Sequence, residues 1–124
     1  MNIALWVVAG LLAAAFLAAG LMKITTPKAK LVERLPWAAD YSDGAVKGIG
    51  IVEVLGAIGL ILPGITGIAP ILVPIAAVGL AIVMVLAAVM HLRRGDGVAA
   101  VVPNIVLFAL AVFVAWGRFG PYPL

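Results

Sequence analysis

A chain of 124 residues that is 66% hydrophobic and only 10% charged, with a mean hydropathy of +1.31, is not a water-soluble domain. Such a domain needs roughly a quarter of its residues charged. The net charge of +3 and pI near 9.7 do not mark a nucleic-acid binder, because the basic residues flank apolar runs instead of forming a stripe. The absence of cysteine excludes disulfides, thiolate metal sites and a CxxC redox centre.

In chain order, the first element is the uncharged run Ile3–Met22. No Lys or Arg precedes it, so it reads as a membrane helix and not as a cleaved signal peptide. Gly10, Ala14 and Ala18 give it a small-residue face suited to close helix packing. The segment PKAKLVERL, Pro27–Leu35, sets Leu31, Val32 and Leu35 opposite Lys28, Lys30 and Arg34. It is expected to form a short interfacial helix on the inner leaflet. A second span is predicted over 46–62, with Asp43 as its cap. From Val54 to Met90 no charge occurs. One helix of that length would reach ~55 Å, far beyond the ~30 Å hydrocarbon core. The chain must turn back at LPGITGIAP, Leu62–Pro70, where two prolines and two glycines interrupt it. A third span is therefore predicted over 70–91 and a fourth over 98–117. The expected fold is all-α: one membrane domain over 1–124, a four-helix bundle with the interfacial helix between spans one and two.

Seven of the eight basic residues fall in the first and third connections. The positive-inside rule makes that side cytoplasmic and places both termini outside. Trp6, Trp116 and Tyr122 then mark the outer interface, and Trp37 and Tyr41 the inner one.

The polar residues of the spans carry the functional question. Glu53 stands alone in KGIGIVEVLGAIGLILP, Lys47–Pro63. A charge at a helix centre costs ~2.5–3.5 kcal/mol, so Glu53 must face the bundle interior or be protonated. Counting residues puts Asn104 at the same depth, with His91 and Lys23 nearer the mouth. Each of the four helices thus sends one polar residue to the inner half, and the outer half has only Arg118. The expected site comprises Lys23, Gly50, Glu53, Gly56, His91 and Asn104, with Glu53 paired to Asn104. Plainer roles compete: boundary anchors for Lys23, Lys47 and Arg118, backbone satisfaction after Pro103 for Asn104, an interfacial position for His91, and packing for Met84 and Met90. One His and no Cys fall short of a metal site. No nucleophile with its base, phosphate loop or nucleic-acid platform is present.

GLMKIT (Gly20–Thr25), the Lys47–Pro63 run, GLAIVMVLAAVMHLRRGD (Gly79–Asp96) and the final GRF (Gly117–Phe119) together resemble the DoxX-like family of small bacterial four-span membrane proteins. The similarity covers nearly the whole chain. It matches Lys23, the group Gly50, Glu53, Gly56 and Ala57, and His91 to the family's pattern. The resemblance implies the bacterial cytoplasmic (inner) membrane and an association with membrane redox processes, and so a quinone-like ligand; no cofactor is evident.

The leading expectation is a binding or accessory protein that holds a hydrophobic small molecule, quinone-like or lipid-like, in an inner-half polar pocket. Competing with it are a proton or small-solute transporter using Glu53 and a structural subunit of a larger membrane redox complex. An enzyme acting alone ranks last. Expected partners are membrane lipid, the small molecule, and a homo-oligomer or larger complex, with no nucleic acid.

Overall fold

The computed structural model describes residues 1–124 and contains helices and turns without strands. Helix α1 runs Asn2–Thr25, α2 Lys28–Arg34, a 3-10 turn Pro36–Asp40, α3 Asp43–Thr66, α4 Leu72–Arg94 and α5 Val98–Phe119. The helices α1, α3, α4 and α5 are each long and apolar enough to cross a membrane. At 1.5 Å per residue, a 24-residue helix such as α3 spans about 36 Å.

The first two spans exceed their expected bounds at both ends and the fourth at its end, while the third starts two residues later than expected and ends three later; at α3 the local chemistry explains why. Ser42, not Asp43, caps α3: its hydroxyl accepts from the Ala45 N–H at 3.1 Å. Asp43 lies one residue inside the helix and pairs with Lys47 one turn on, at 3.1 Å. At the other end α3 continues past Pro63 to Thr66 and stops at Gly67, whose φ of 72° is the left-handed closing conformation. The proline sits in the last turn, so it removes one hydrogen bond without ending the helix.

The bundle is a ring in the order α1, α3, α4, α5. Contacts are most extensive within the pairs α1–α3 and α4–α5, and α3–α4 and α5–α1 close the ring. Lipid offers helices no hydrophobic drive to associate, so close packing must supply it. Small residues provide the approach. A methyl on Gly20 would lie 2.6 Å from the Gly50 carbonyl oxygen, and one on Gly50 would lie 2.7 Å from that of Gly20. Helices α1 and α3 therefore touch backbone to backbone. Gly56 receives the Leu80 side chain and Gly59 faces Ala76, which draws α3 against α4. Leu12, Phe16, Leu60, Ala77, Leu80 and Val114 fill the middle of the bundle.

The interfacial segment packs separately. Leu31, Trp37, Ala38 and Val46 form a second buried cluster beneath one end of the bundle. Leu31 anchors α2, as its apolar side predicts. Lys28 secures the segment by donating to the Tyr41 carbonyl at 2.6 Å.

Candidate functional site

Lys23 and Glu53 meet inside the bundle. Lys23 Nζ lies 2.5 Å from Glu53 Oε1, and both side chains are almost fully buried. The antiparallel arrangement of α1 and α3 explains how residues at different levels reach each other. A helical side chain leans toward the N-terminus of its own helix. Lys23 therefore leans back along α1 into the bundle, and Glu53 leans the opposite way to meet it. Gly50 lies beneath the lysine stem: a methyl there would stand 2.9 Å from Lys23 Cβ. Its missing side chain clears the path between the two charges.

This arrangement corrects one expectation. The partner of Glu53 is Lys23 and not Asn104, whose Nδ2 instead donates to the Ala100 carbonyl at 3.4 Å. Lys23 lies in the last turn of α1, buried, with its ammonium turned toward Glu53. A depth count along the chain follows Cα positions, but a lysine stem reaches several ångströms beyond its own.

A cavity of about 830 Å³ borders the ion pair, and 16 of its 21 lining residues are hydrophobic. Lys23, Glu53, His91 and Asn104 all contribute to its wall, one from each span. Gly50 and Gly56 do not; they serve the α1–α3 and α3–α4 contacts. Trp37 and Tyr41 of the interfacial segment also line it, edge to face with ring centroids 5.8 Å apart. The Trp37 ring lies 6.0 Å from Lys23 Nζ, within range of a cation–π contact. Val52 on α3 and Leu86 on α4 line the cavity and are also exposed on the outside of the bundle. The cavity is thus not sealed inside the bundle.

The family comparison can now be set beside this geometry. The sequence model of the DoxX-like family matches residues 7–114. The chain belongs to the DoxX-like family. Neither the curated proteins nor the solved structures returned a match to this DoxX-like chain.

At the rim, the α4–α5 connection of this DoxX-like protein adds a residue that sequence reasoning missed. Gly95, with φ of 73°, reverses the chain after α4, and the Asp96 N–H bonds back to the His91 carbonyl at 3.1 Å. The turn brings the Asp96 carboxylate to 2.8 Å from His91 Nδ1. Arg94 Nε holds the same carboxylate, at 3.1 and 3.3 Å to its two oxygens, and Arg94 Nη1 also reaches Asp40 on the interfacial segment. The hydrogen bond from His91 holds the Asp96 carboxyl below the usual carboxylate range; partial burial opposes this and Arg94 adds to it. The signal was the spacing His91, Gly95, Asp96, in which a glycine turn folds an acid back onto the last helical turn.

Arg118 lies at the opposite end and is not an exposed anchor. It is buried, donates to Asn2 Oδ1 at 2.7 Å and to the Tyr122 carbonyl at 3.0 Å, and stacks over Trp6 at 5.7 Å. The five Asp and Glu side chains lie on α2, the 3-10 turn, the first half of α3 and the α4–α5 connection, so none of them is near it.

Proposed function

We propose that this multi-pass membrane protein is a binding or accessory protein that holds the head of a hydrophobic small molecule, quinone-like or lipid-like, beside the Lys23–Glu53 pair. The proposal includes its association with redox processes in the bacterial inner membrane, with both termini outside. One observation carries the binding reading: an apolar cavity of about 830 Å³ with a polar residue from each span in its wall. Binding sites for small molecules are typically apolar concavities of ~300–1,000 Å³ with a few placed polar groups. The apolar walls suit a ligand's tail, and Lys23, Glu53, His91 and Asn104 suit its head.

Mass spectrometry of small molecules extracted from the purified protein tests the reading, with bulk membrane lipid as baseline. A single isoprenoid, quinone or lipid species enriched in wild type and lost in Glu53→Gln and Asn104→Ala is the expected result. Equal content in wild type, variants and bulk lipid would overturn it.

Transport through Glu53 is the second reading, favoured by the burial of a carboxylate within a span. The packed apolar residues between the cavity and Arg118 weigh against it. Proton flux in proteoliposomes that disappears in Glu53→Gln would restore it.

A further inference from the structure

We infer that the cavity selects a ligand whose head donates hydrogen bonds, a phenol or other hydroxyl, and that Asp96 sets this selectivity by fixing the tautomer of His91. The inference rests on the binding reading above and narrows its ligand from any hydrophobic molecule with a polar head to a hydroxylated one.

Three acceptors in the cavity wall carry it. The first is His91 Nε2. An ionised carboxylate can only accept hydrogen bonds, so the contact between Asp96 Oδ2 and His91 Nδ1 requires the ring proton to sit on Nδ1. A neutral imidazole then presents Nε2 as a bare acceptor. Nε2 makes no hydrogen bond within the protein. Asp96 is well suited to this role because two independent restraints hold it: the Arg94 guanidinium on its carboxylate, and its own N–H on the His91 carbonyl. Orientation of a histidine by a carboxylate on its far nitrogen is the same device that fixes imidazoles in metal sites and catalytic triads.

The second acceptor is Asn104 Oδ1. The amide donates through Nδ2 to the Ala100 carbonyl, and its oxygen has no protein partner. The third is Glu53 Oε2, since Lys23 engages only Oε1. Against these stand the two remaining N–H groups of Lys23, one of Asn104 and the indole N–H of Trp37, with the Tyr41 hydroxyl able to serve on either side. A ligand with carbonyl oxygens alone would satisfy Lys23 and leave His91 Nε2 and Glu53 Oε2 facing an apolar body without a donor. A head with a hydroxyl satisfies both sides, because a hydroxyl donates once and accepts as well. Asp96 touches no ligand; it is a positioning residue that acts through His91.

His91 is the chain's only histidine, so isotopically labelled histidine gives one imidazole in the whole spectrum. Long-range proton–nitrogen correlation on purified protein in nanodiscs, at mildly alkaline pH, reads which ring nitrogen bears the proton. The expected result is a protonated Nδ1 and a bare Nε2. Asp96→Ala is expected to reverse the two, and Arg94→Gln, which leaves Asp96 in place, to keep the wild-type tautomer. The probes are para-nonylphenol and its methyl ether para-nonylanisole, which differ only in the hydroxyl proton. The phenol is expected to bind about tenfold tighter than the ether, the worth of one hydrogen bond, and to shift the Nε2 resonance. In Asp96→Ala the ratio is expected to fall to within about twofold.

A proton on Nε2 in the wild type, whether in the other tautomer or in an imidazolium, overturns the inference. Equal affinity for phenol and ether also overturns it while leaving the binding reading in place. Failure of both probes to bind overturns both. The wild-type measurements decide the matter even if a variant does not fold.

Discussion

Two buried cations sit at opposite ends of this bundle, and the protein treats them differently. Lys23 has a carboxylate partner on a neighbouring helix, 2.5 Å away. Arg118 has two neutral oxygens and a tryptophan face. Both arrangements allow a charge to leave water, but they leave different surroundings. At the Arg118 end the donors turn toward Asn2 and Tyr122, near the chain termini. At the Lys23 end the pair forms part of a cavity wall. A full counter-charge thus goes with the cavity end of the bundle, and neutral partners suffice at the other.

Breaking the ion pair gives the largest expected effect. Removing one partner of a buried pair strands the other, at a cost of about 3–5 kcal/mol, and a well-packed apolar replacement of both recovers most of it. Glu53→Leu should therefore lower unfolding stability in detergent by about that amount, and adding Lys23→Met should restore it to within about 2 kcal/mol. A double variant no better than the single one would show that the pair is not the unit.

The glycine beneath the lysine comes next. Gly50→Ala places a methyl 2.7 Å from a backbone oxygen that cannot yield, an overpacking worth about 1–3 kcal/mol. Gly79→Ala, where nothing lies within 4 Å, should leave thermal unfolding unchanged or slightly raise it. Equal responses at the two positions would remove the backbone contact from the account.

Arg118→Met should cost about 1–2 kcal/mol by denaturant titration, less than Glu53→Leu, because the oxygens it abandons lie near the bundle's end and can find water. A larger loss than for Glu53→Leu would invert the comparison.

The smallest effect belongs to Asp96. Its carboxyl titrates below its ordinary range in the folded protein. The stability it adds is therefore complete above an unfolded-state pKa of about 3.9 and fades as pH falls through the lower folded value. The stability difference between wild type and Asp96→Asn should shrink as the sample is acidified past that point. A difference that grows on acidification would contradict the assignment.

The four spans and the interfacial helix were legible because hydropathy and charge register them directly; Leu31 even marks the buried side of α2. Helix ends were less so. Whether Pro63 ends a helix or rides in its last turn depends on the cap that follows, and Gly67 supplies one. Within the site, residue counting brought Lys23, Glu53, His91 and Asn104 to the same half of the bundle. It missed which of them touch, because contact depends on side-chain lean and on the gap at Gly50. Asp96 was passed over because it lies outside every span, although a glycine turn returns it to His91.

The connections have a consequence for how the molecule comes apart. Helices α1 and α3 are bound by touching backbones and an ion pair, and α4 and α5 are joined by a three-residue turn, Gly95–Gly97. The short exposed stretch between α3 and α4, from Gly67 to Ile71, links two hairpins that are each internally fastened. A chain cut there would yield two fragments able to find each other in the bilayer, and neither alone would hold the chamber, because Lys23 and Glu53 belong to one half and His91 and Asn104 to the other. A guest molecule in the seam would act as the rivet between them.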